Sequence, residues 1–359
     1  MPELLLVGAG HAHLHLIAHA ADLVAAGYRV RVLAPPSFDY SGVASATAAG
    51  SLPASTGRID IRALCALQPV DLVEATLVDL DVPGQVATTS TGETLSYDVL
   101  SFNVGSVVDT RDLPVDDQVL RVKPLSDLAE LSARLEAVPG ATVTVIGGGS
   151  TGLELATHLS VRPGVARVRL VEAGPTIGAD LPAGARRRLV RLLARRGVEV
   201  LTNTSVREIT GREVLLDSGP LPHDVALLAT GLAAPPLLQR VGVGGTHGVP
   251  VTATLQHVDH PEIYAGGDCA HFTPQPLPRV GVHGVRQGPV LLASLLARAG
   301  GDPLPTYTPP ARSLSVLDLG GGVGLAVRGR WWWYGAAALR LKERIDIRWL
   351  DKYRSAGTP

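Results

Sequence analysis

Two clusters of glycine, and the acids, amides and histidines around them, are the residues here whose types and spacing can do chemistry. Gly147, Gly149 and Gly152 fit G-x-G-x-x-G directly after an apolar run that ends at Ile146. In such a turn the first glycine permits the tight bend. The second lets the backbone approach a pyrophosphate, and the third lets helix and strand pack closely. The pyrophosphate then meets free N–H groups at the positive end of a helix dipole. Glu172 closes the next strand about 20 residues later, the spacing of a carboxylate that binds adenosine ribose hydroxyls. A carboxylate there favours NADH over NADPH, and Arg169 nearby does not rescue a site for a 2′-phosphate.

A second set stands at the N-terminus. Gly8 and Gly10 repeat the first two glycines, but the third position is His13, and the following strand ends in Ala34-Pro35-Pro36 with no carboxylate. The departure weakens a ribose contact and leaves a pyrophosphate contact. His11, His13, His15 and His19 crowd the helix that opens there. The i,i+4 pairs His11/His15 and His15/His19 have a spacing that can bind zinc. No cysteine or acid nearby completes a ligand set, so no metal is assigned; a contact from His11 or His13 to a bound cofactor is expected instead. Far along the chain, Ile263-Tyr264-Ala265 runs into Gly266-Gly267-Asp268. A strand ending in a tight glycine turn presents one carboxylate where ligands of α/β sheets bind. Cys65 and Cys269 are far apart in sequence and read as small buried hydrophobes. Cys269, next to Asp268, also carries a reading as a reactive thiol.

These residues need elements to hold them. The pattern predicts a strand over 3–7, a helix over 11–26 and a strand over 28–33. It starts again with a strand over 141–146, a helix over 150–160 and a strand over 165–171. The two halves follow one βαβ plan offset by about 139 residues. Further strands are expected over 71–80, 85–90 and 99–103, then over 198–201, 206–209, 213–216 and 225–229, with a helix over 183–196. Residues 41–57 read as irregular. A helix over 282–298 follows Asp268. The tail holds two strand-like runs, 314–319 and 324–328, then Trp331-Trp332-Trp333 and a helix over 336–353.

The chain's 359 residues are 46% hydrophobic and 18% charged, enough apolar material for two domains and a small third piece, and incompatible with global disorder. A net charge of −1 gives no field for nucleic acid, which is excluded as a partner. Two cysteines make no secreted disulfide framework. No basic leader precedes the strand that begins at Glu3, and no run reaches the roughly 18 apolar residues of a spanning helix. The expected compartment is the cytoplasm. The tail carries Arg328, Arg330, Arg340, Lys342, Arg344, Arg348, Lys352 and Arg354 against Glu343, Asp346 and Asp351, and Leu341, Ile345 and Trp349 fall on one helical face. Two readings stand: a basic amphipathic helix on the cytoplasmic face of an anionic membrane, or a helix packed on the body, with the tryptophans over the cofactor or in a homodimer interface.

Taken in order, Gly8 and Gly10, Asn103-Val104-Gly105-Ser106, Gly147 to Gly152, Ala229-Thr230-Gly231 and Gly267-Asp268 resemble the ordered motifs of the pyridine nucleotide–disulfide oxidoreductase superfamily, over roughly residues 3–300. The opening Val7-Gly8-Ala9-Gly10-His11-Ala12-His13, the segment Asp39-Tyr40-Ser41-Gly42 and Lys342 with Ile345-Asp346 look most like the branch of type II NADH dehydrogenases and their relatives associated with selenide, water dikinase.

The resemblance implies a glutathione reductase-like α/β fold: two doubly wound Rossmann-like dinucleotide-binding domains with a small C-terminal α+β tail. Residues 1–112 with 232–305 would form a discontinuous FAD domain, 113–231 an NAD(P)H domain, and 306–359 the tail. FAD would be held by Gly8, Gly10, His11, His13, Asn103, Gly105, Gly267 and Asp268, the last on the ribitol. NADH would be held by Gly147, Gly149, Gly152, Glu172, Thr230 and Gly231. In the resembling enzymes a glutamate at the place of Glu154 lies near nicotinamide and flavin; a first-turn acid favoured by the helix dipole is the other reading.

The helix after Asp268 would aim its N-terminus at the flavin. The quinone motif carried there by type II NADH dehydrogenases has two glutamines; this chain has Val282 and Arg286 at those positions and keeps Gln287 and Gly288. Arg286 would stabilise reduced flavin or bind an anionic or phenolic substrate, or lie on the surface. The family's redox cysteine pair is absent from residues 38–50, so electrons leave the flavin directly. The implied reaction is hydride transfer from NADH to FAD, then to a small-molecule acceptor, a quinone or quinone-like compound. An NADH-sensing flavoprotein of apoptosis-inducing-factor type and a reductase of ferredoxin or rubredoxin are the alternatives.

Overall fold

A computed structural model of the protein describes residues 1–354; the end of the expected tail, 355–359, lies outside the described residues. Two five-stranded, all-parallel sheets organise it. The first runs Ile263–Ala265, Val99–Phe102, Glu3–Val7, Arg29–Leu33, Asp71–Val73. The second runs Leu120–Arg121, Val225–Leu228, Ala141–Ile146, Val165–Val171, Glu199–Leu201. Parallel strands are covered on both faces, which is why the central ones read as near-continuous apolar runs. Leu4, Leu5 and Leu6 are buried, as are Val143, Val145 and Ile146. The fold class is α/β with two Rossmann-like cores.

The repeat extends beyond the βαβ units. In each half a three-stranded antiparallel meander precedes the strand that returns to the sheet. The first is Leu77–Asp81, Val86–Thr89, Thr94–Ser96, and the second is Val206–Ile209, Glu213–Leu216, Gly219–Pro222. The strand expected over 71–80 is therefore two strands, one in each sheet type.

The first helix departs from expectation too. It runs His11–Ala18, breaks at His19 and resumes as Ala20–Ala25. His19 Nδ1 bonds the His15 carbonyl at 2.9 Å, so a side chain takes the acceptor that a continuing helix uses. Residues 41–57 contain the short helix Ala44–Ala48 between two 3₁₀ turns. The long helix Gly281–Gly300 crosses His11–Ala18 closely. A Cβ at Gly288 would lie 2.8 Å from the Cβ of His15, so glycine is what permits this approach.

Trp331–Gly335, to which the sequence reading gave no element, is a third strand. It pairs antiparallel with Gly324–Arg328, which pairs with Leu314–Asp318. The tail bridges the two cores. Leu317, Leu319, Leu325 and Val327 of the hairpins join the core of the second sheet, while Leu350 and Tyr353 of the helix Ala336–Arg354 join the core of the first.

Candidate active site

The middle glycine turn is built as its spacing predicts. A Cβ at Gly152 would fall on the Gly147 carbonyl oxygen, and one at Gly147 (φ +111°) on the Ala229 carbonyl. At Gly149 and Gly231 a Cβ would meet nothing within 4 Å: these two face open space. Both Glu172 oxygens are fixed by backbone donors, Gly148 N–H at 2.7 Å and Gly174 N–H at 2.6 Å. A carboxylate oxygen has a further lone pair, so ribose hydroxyls can still be accepted. The cavity here measures about 520 Å³ and is lined by Gly147, Gly149, Glu172, Thr230, Gly231 and Asp112. The Thr230 hydroxyl is buried without a hydrogen-bond partner, the kind of orphan a bound dinucleotide would satisfy.

A second cavity of about 380 Å³ shares Gly149, Ala229, Thr230 and Gly231 with the first and continues past Lys123, Glu154 and Arg279. Glu154 accepts from Asp318 N–H at 2.8 Å and from the Ser45 hydroxyl at 3.2 Å. Burial pushes its pKa up, against the pull of Lys342, the Asp318 N–H and His158. Its carboxyl thus keeps a proton to higher pH than an exposed glutamate would. Arg279 spends its guanidinium on the carbonyls of Asp268, Leu232 and His247, clamping the second glycine–aspartate turn to the crossing between the halves.

The N-terminal turn is tied together by Asn103, the structural counterpart of Ala229. Its Oδ1 accepts from the Ala12 and His13 amides at 2.9 and 3.1 Å, and its Nδ2 donates to the Gly266 carbonyl at 2.6 Å. Gly8 (φ +85°) and Gly10 lack Cβ atoms because each would stand 2.6 Å from Asn103 oxygens. Asp268 Oδ2 accepts from Ser106 at 2.8 Å, and Gly267 N–H donates to Gln287 at 2.6 Å. Gly105 (φ +74°) has open space where a Cβ would be. The turn, the Asp268 carboxylate and the Gly105 opening lie together, and they fit the ribitol and pyrophosphate of a flavin dinucleotide.

His13 replaces the third glycine by bonding the same carbonyl that Gly152 touches in the other turn. Its Nδ1 lies 2.6 Å from the Gly8 carbonyl oxygen, and its Nε2 2.8 Å from Ser101 Oγ. With both ring nitrogens engaged by the protein, the His13 side chain is not brought to the cofactor face. The His11 ring sits among Phe38, Tyr40 and Trp349, with centroids 5.2, 5.7 and 4.9 Å away. Burial, aided by Lys123, lowers its pKa to about 4 against the pull of Asp268, so the ring is neutral at pH 7.

Gln287 is buried against the Gly267 turn, whereas Arg286 is on the exposed side of the same helix; adjacent helical positions lie about 100° apart. Arg286 is therefore not gathered with the other residues. Cys65 and Cys269 are free and buried, and burial raises their thiols to about 11 and about 12. Neither is a thiolate at neutral pH. Ser106 belongs to the motif read from sequence, but its bond to Asp268 was not foreseen. Lys123, Ser45, Arg279 and Asp318 were not singled out from sequence; no motif marks them, and each arrives from a segment remote from the glycine turns.

Two parallel sheets, each with a glycine turn after a central strand, are the architecture of two Rossmann-like cores. The chain belongs to the pyridine nucleotide-disulphide oxidoreductase family, whose model matches residues 2–288. FAD and NADH are the cofactors that membership of this family brings.

An NADH dehydrogenase-like protein of Mycobacterium tuberculosis is 31% identical over 218 residues, covering 55% of this chain and 54% of that protein. The demethylphylloquinone reductase NdbB of Synechocystis is 28% identical over 255 residues, covering 66% and 63%. The match thus spans little more than half the length of the first relative. Among solved structures, NDH2 of Plasmodium falciparum in complex with NADH has a TM-score of 0.84 at 14% identity, covering 99% of this chain and 96% of that one. The sulfide:quinone oxidoreductase of Aquifex aeolicus has a TM-score of 0.80 at 16% identity, covering 99% and 92%. At these identities the likeness is one of fold.

Proposed function

We propose that the protein is an FAD-dependent NADH dehydrogenase that passes a hydride from NADH to flavin and then to a quinone or quinone-like small molecule. The observation that carries this is the pair of cavities that share Gly149, Ala229, Thr230 and Gly231 as lining, one reaching Glu172 and the other Glu154 and Lys123, with the orphaned Thr230 hydroxyl between them. Residues 1–112 with 232–305 would form the FAD unit, 113–231 the NADH unit and 306–359 the tail. FAD, when bound, supplies the two-electron redox chemistry.

The chain's own residues do the positioning. Glu172 and the Gly147–Gly149 turn hold the adenosine end of NADH. Asn103, Gly105 and Asp268 hold the flavin's ribityl side, and Gln287 braces the Gly267 turn. Glu154, whose pKa burial raises, would hold a proton beside the junction to higher pH than an exposed glutamate does. No helix of the described residues is long and apolar enough to cross a membrane.

The quinone acceptor is supported by the demethylphylloquinone reductase relative. With Cys65 and Cys269 buried, free and far from thiolate, the described residues supply no dithiol relay beside a flavin. The test is an anaerobic two-stage experiment on the FAD-loaded protein. NADH should bleach the flavin, and a soluble quinone should reoxidise it rapidly. A long-lived charge-transfer band that quinone does not discharge, or discharge by ferredoxin or rubredoxin alone, would overturn the acceptor assignment. In Glu154→Gln the alkaline limb of the quinone-dependent pH profile should disappear, since an amide cannot lose the proton; an unchanged profile would remove Glu154 from the proton path.

A further inference from the structure

One buried titratable side chain packed beside Glu154 has no part in the reaction so far. His158 follows Glu154 by one helical turn on Ser150–Leu159, so the two side chains share a face. The imidazole is 1% exposed. Its Nδ1 lies 2.9 Å from the Ser51 hydroxyl, and Ser51 itself is exposed. Its Nε2 lies 3.3 Å from Asp318 Oδ1 without an aligned hydrogen bond. The same Asp318 donates its backbone N–H to Glu154 at 2.8 Å. One residue thus touches both the carboxyl and the imidazole, and one hydroxyl connects the imidazole to solvent. The turn after Asp318 closes over the ring: a Cβ at Gly320 (φ +63°) would stand 3.1 Å from Nδ1.

The other cations that face the cluster, among the described residues, are engaged elsewhere. Lys342, from the tail helix, is ion-paired with Asp346 at 2.7 Å. Arg196 donates to the carbonyls of Thr157, Leu319 and Gly320. Arg162, behind Gly50, bonds Ser132 and pairs with Glu136 at 3.6 Å. Burial works to raise the pKa of Asp318, but His158, the Gly320 N–H and Lys342 together hold it below its ordinary value. Asp318 is therefore an anion beside Glu154. If Glu154 ionises as well, a second buried negative charge stands beside the first, which like-charge repulsion and desolvation both oppose. His158 can cancel that charge. When neutral, its ring hydrogen sits on Nε2 toward Asp318 and Nδ1 accepts from Ser51; when charged, Nδ1 carries a proton too.

We propose that His158 is the positioning residue that lets Glu154 release its proton, by taking up a proton from solvent through Ser51 as Glu154 gives one up. One O–H bond breaks at the Glu154 carboxyl and one N–H bond forms at His158 Nδ1. Ser51 passes on its own hydrogen and takes another from water, so the charge of the cluster stays constant. The inference rests on Glu154 as the proton holder of the proposed reaction, and not on which acceptor takes the proton.

The test follows the Glu154 carboxyl in the FAD-loaded full chain, by the infrared carbonyl band of its protonated form, assigned by its loss in Glu154→Gln. In wild type the band should vanish as pH rises. In His158→Gln, which cannot carry the compensating charge, it should persist to a pH about one unit higher, and the alkaline limb of quinone turnover should move with it. Retained FAD certifies the fold. Ser51→Ala, a change at an exposed position that keeps the ring, should lower kcat with quinone by about tenfold or more and leave KM for NADH as it is. A band that titrates at the same pH in His158→Gln and wild type would overturn the proposal, and so would full turnover in Ser51→Ala. If wild type shows no quinone turnover, the acceptor assignment falls, while a band that still responds to His158 upholds this inference.

Discussion

Glu172 and His13 are both polar residues at glycine turns, yet their surroundings give them opposite tasks. Glu172 faces a cavity with both oxygens pinned by amides. Glu172→Gln should therefore lower kcat/KM for NADH by roughly 10- to 100-fold, the worth of one or two charge-assisted hydrogen bonds, while the value for NADPH falls less. Steady-state kinetics with both donors checks this, and an unchanged NADH preference would remove Glu172 from the ribose. His13 faces the interior. Burial lowers its pKa from 6.5 to about 4, the Gly8 carbonyl only partly offsetting this. The unfolded chain then binds the proton that the native state refuses, so stability is lost as pH falls from about 6.5 to about 4. The loss attributable to His13 approaches about 3 kcal/mol. Denaturation at several pH values should give a smaller slope in that window for His13→Gln than for wild type. The types at positions 13 and 172 were legible in sequence. Which of them faces a ligand was not, because that depends on Ser101 and Gly174 arriving beside them.

At the scale of elements, the two glycine turns differ in how close the helix comes. In the second, Gly152 lies directly on the Gly147 carbonyl; in the first, a histidine fits and bonds the corresponding oxygen. Gly152→Ala should force that helix back and weaken NADH binding roughly 10- to 100-fold, the range of an overpacking strain of about 1–3 kcal/mol. FAD content should not change. Titrating anaerobic flavin bleaching against NADH measures the shift, and loss of flavin would mean the substitution disrupts more than its own turn. The alternating apolar and glycine signals made these βαβ units readable. The break at His19 and the third tail strand were not readable. One comes from a side chain taking a backbone acceptor, and the other from tryptophans whose partners lie on a neighbouring strand.

For the whole molecule, the tail adds a second link between the two halves beside contacts such as Ser45 with Glu154. Lys342 and Asp346 are both nearly buried, 2.7 Å apart. The lysine also donates to the Gly42 carbonyl, and Tyr40 donates to Asp346 at 2.9 Å. Trp349 then stacks on Tyr40 with centroids 4.4 Å apart. Lys342→Met leaves Asp346 charged and buried, so it should cost about 3–5 kcal/mol, with part recovered in Lys342→Met/Asp346→Asn. Guanidinium unfolding gives the energies, and protease sensitivity confined to the tail would locate the loss. If the single variant were as stable as wild type, the pair would not be what seats the helix.

The sequence alone determined the two dinucleotide turns, the NADH-favouring carboxylate, the late Gly267-Asp268 and the lack of a cysteine pair. Each is a local signal, in which a few neighbouring residues meet the demands of one turn or one strand. Only the tertiary structure decided that His13 is a core residue and that Arg286 stands outside the site. It also decided that Ser45, Glu154 and Asp318 meet at one carboxyl, and that the tail helix packs on the body through Ala338, Lys342, Asp346, Leu350 and Tyr353 and leaves Ile345 exposed. Those outcomes depend on residues that close packing brings together from distant segments, such as His11 and Trp349, and chain order carries no local mark of them.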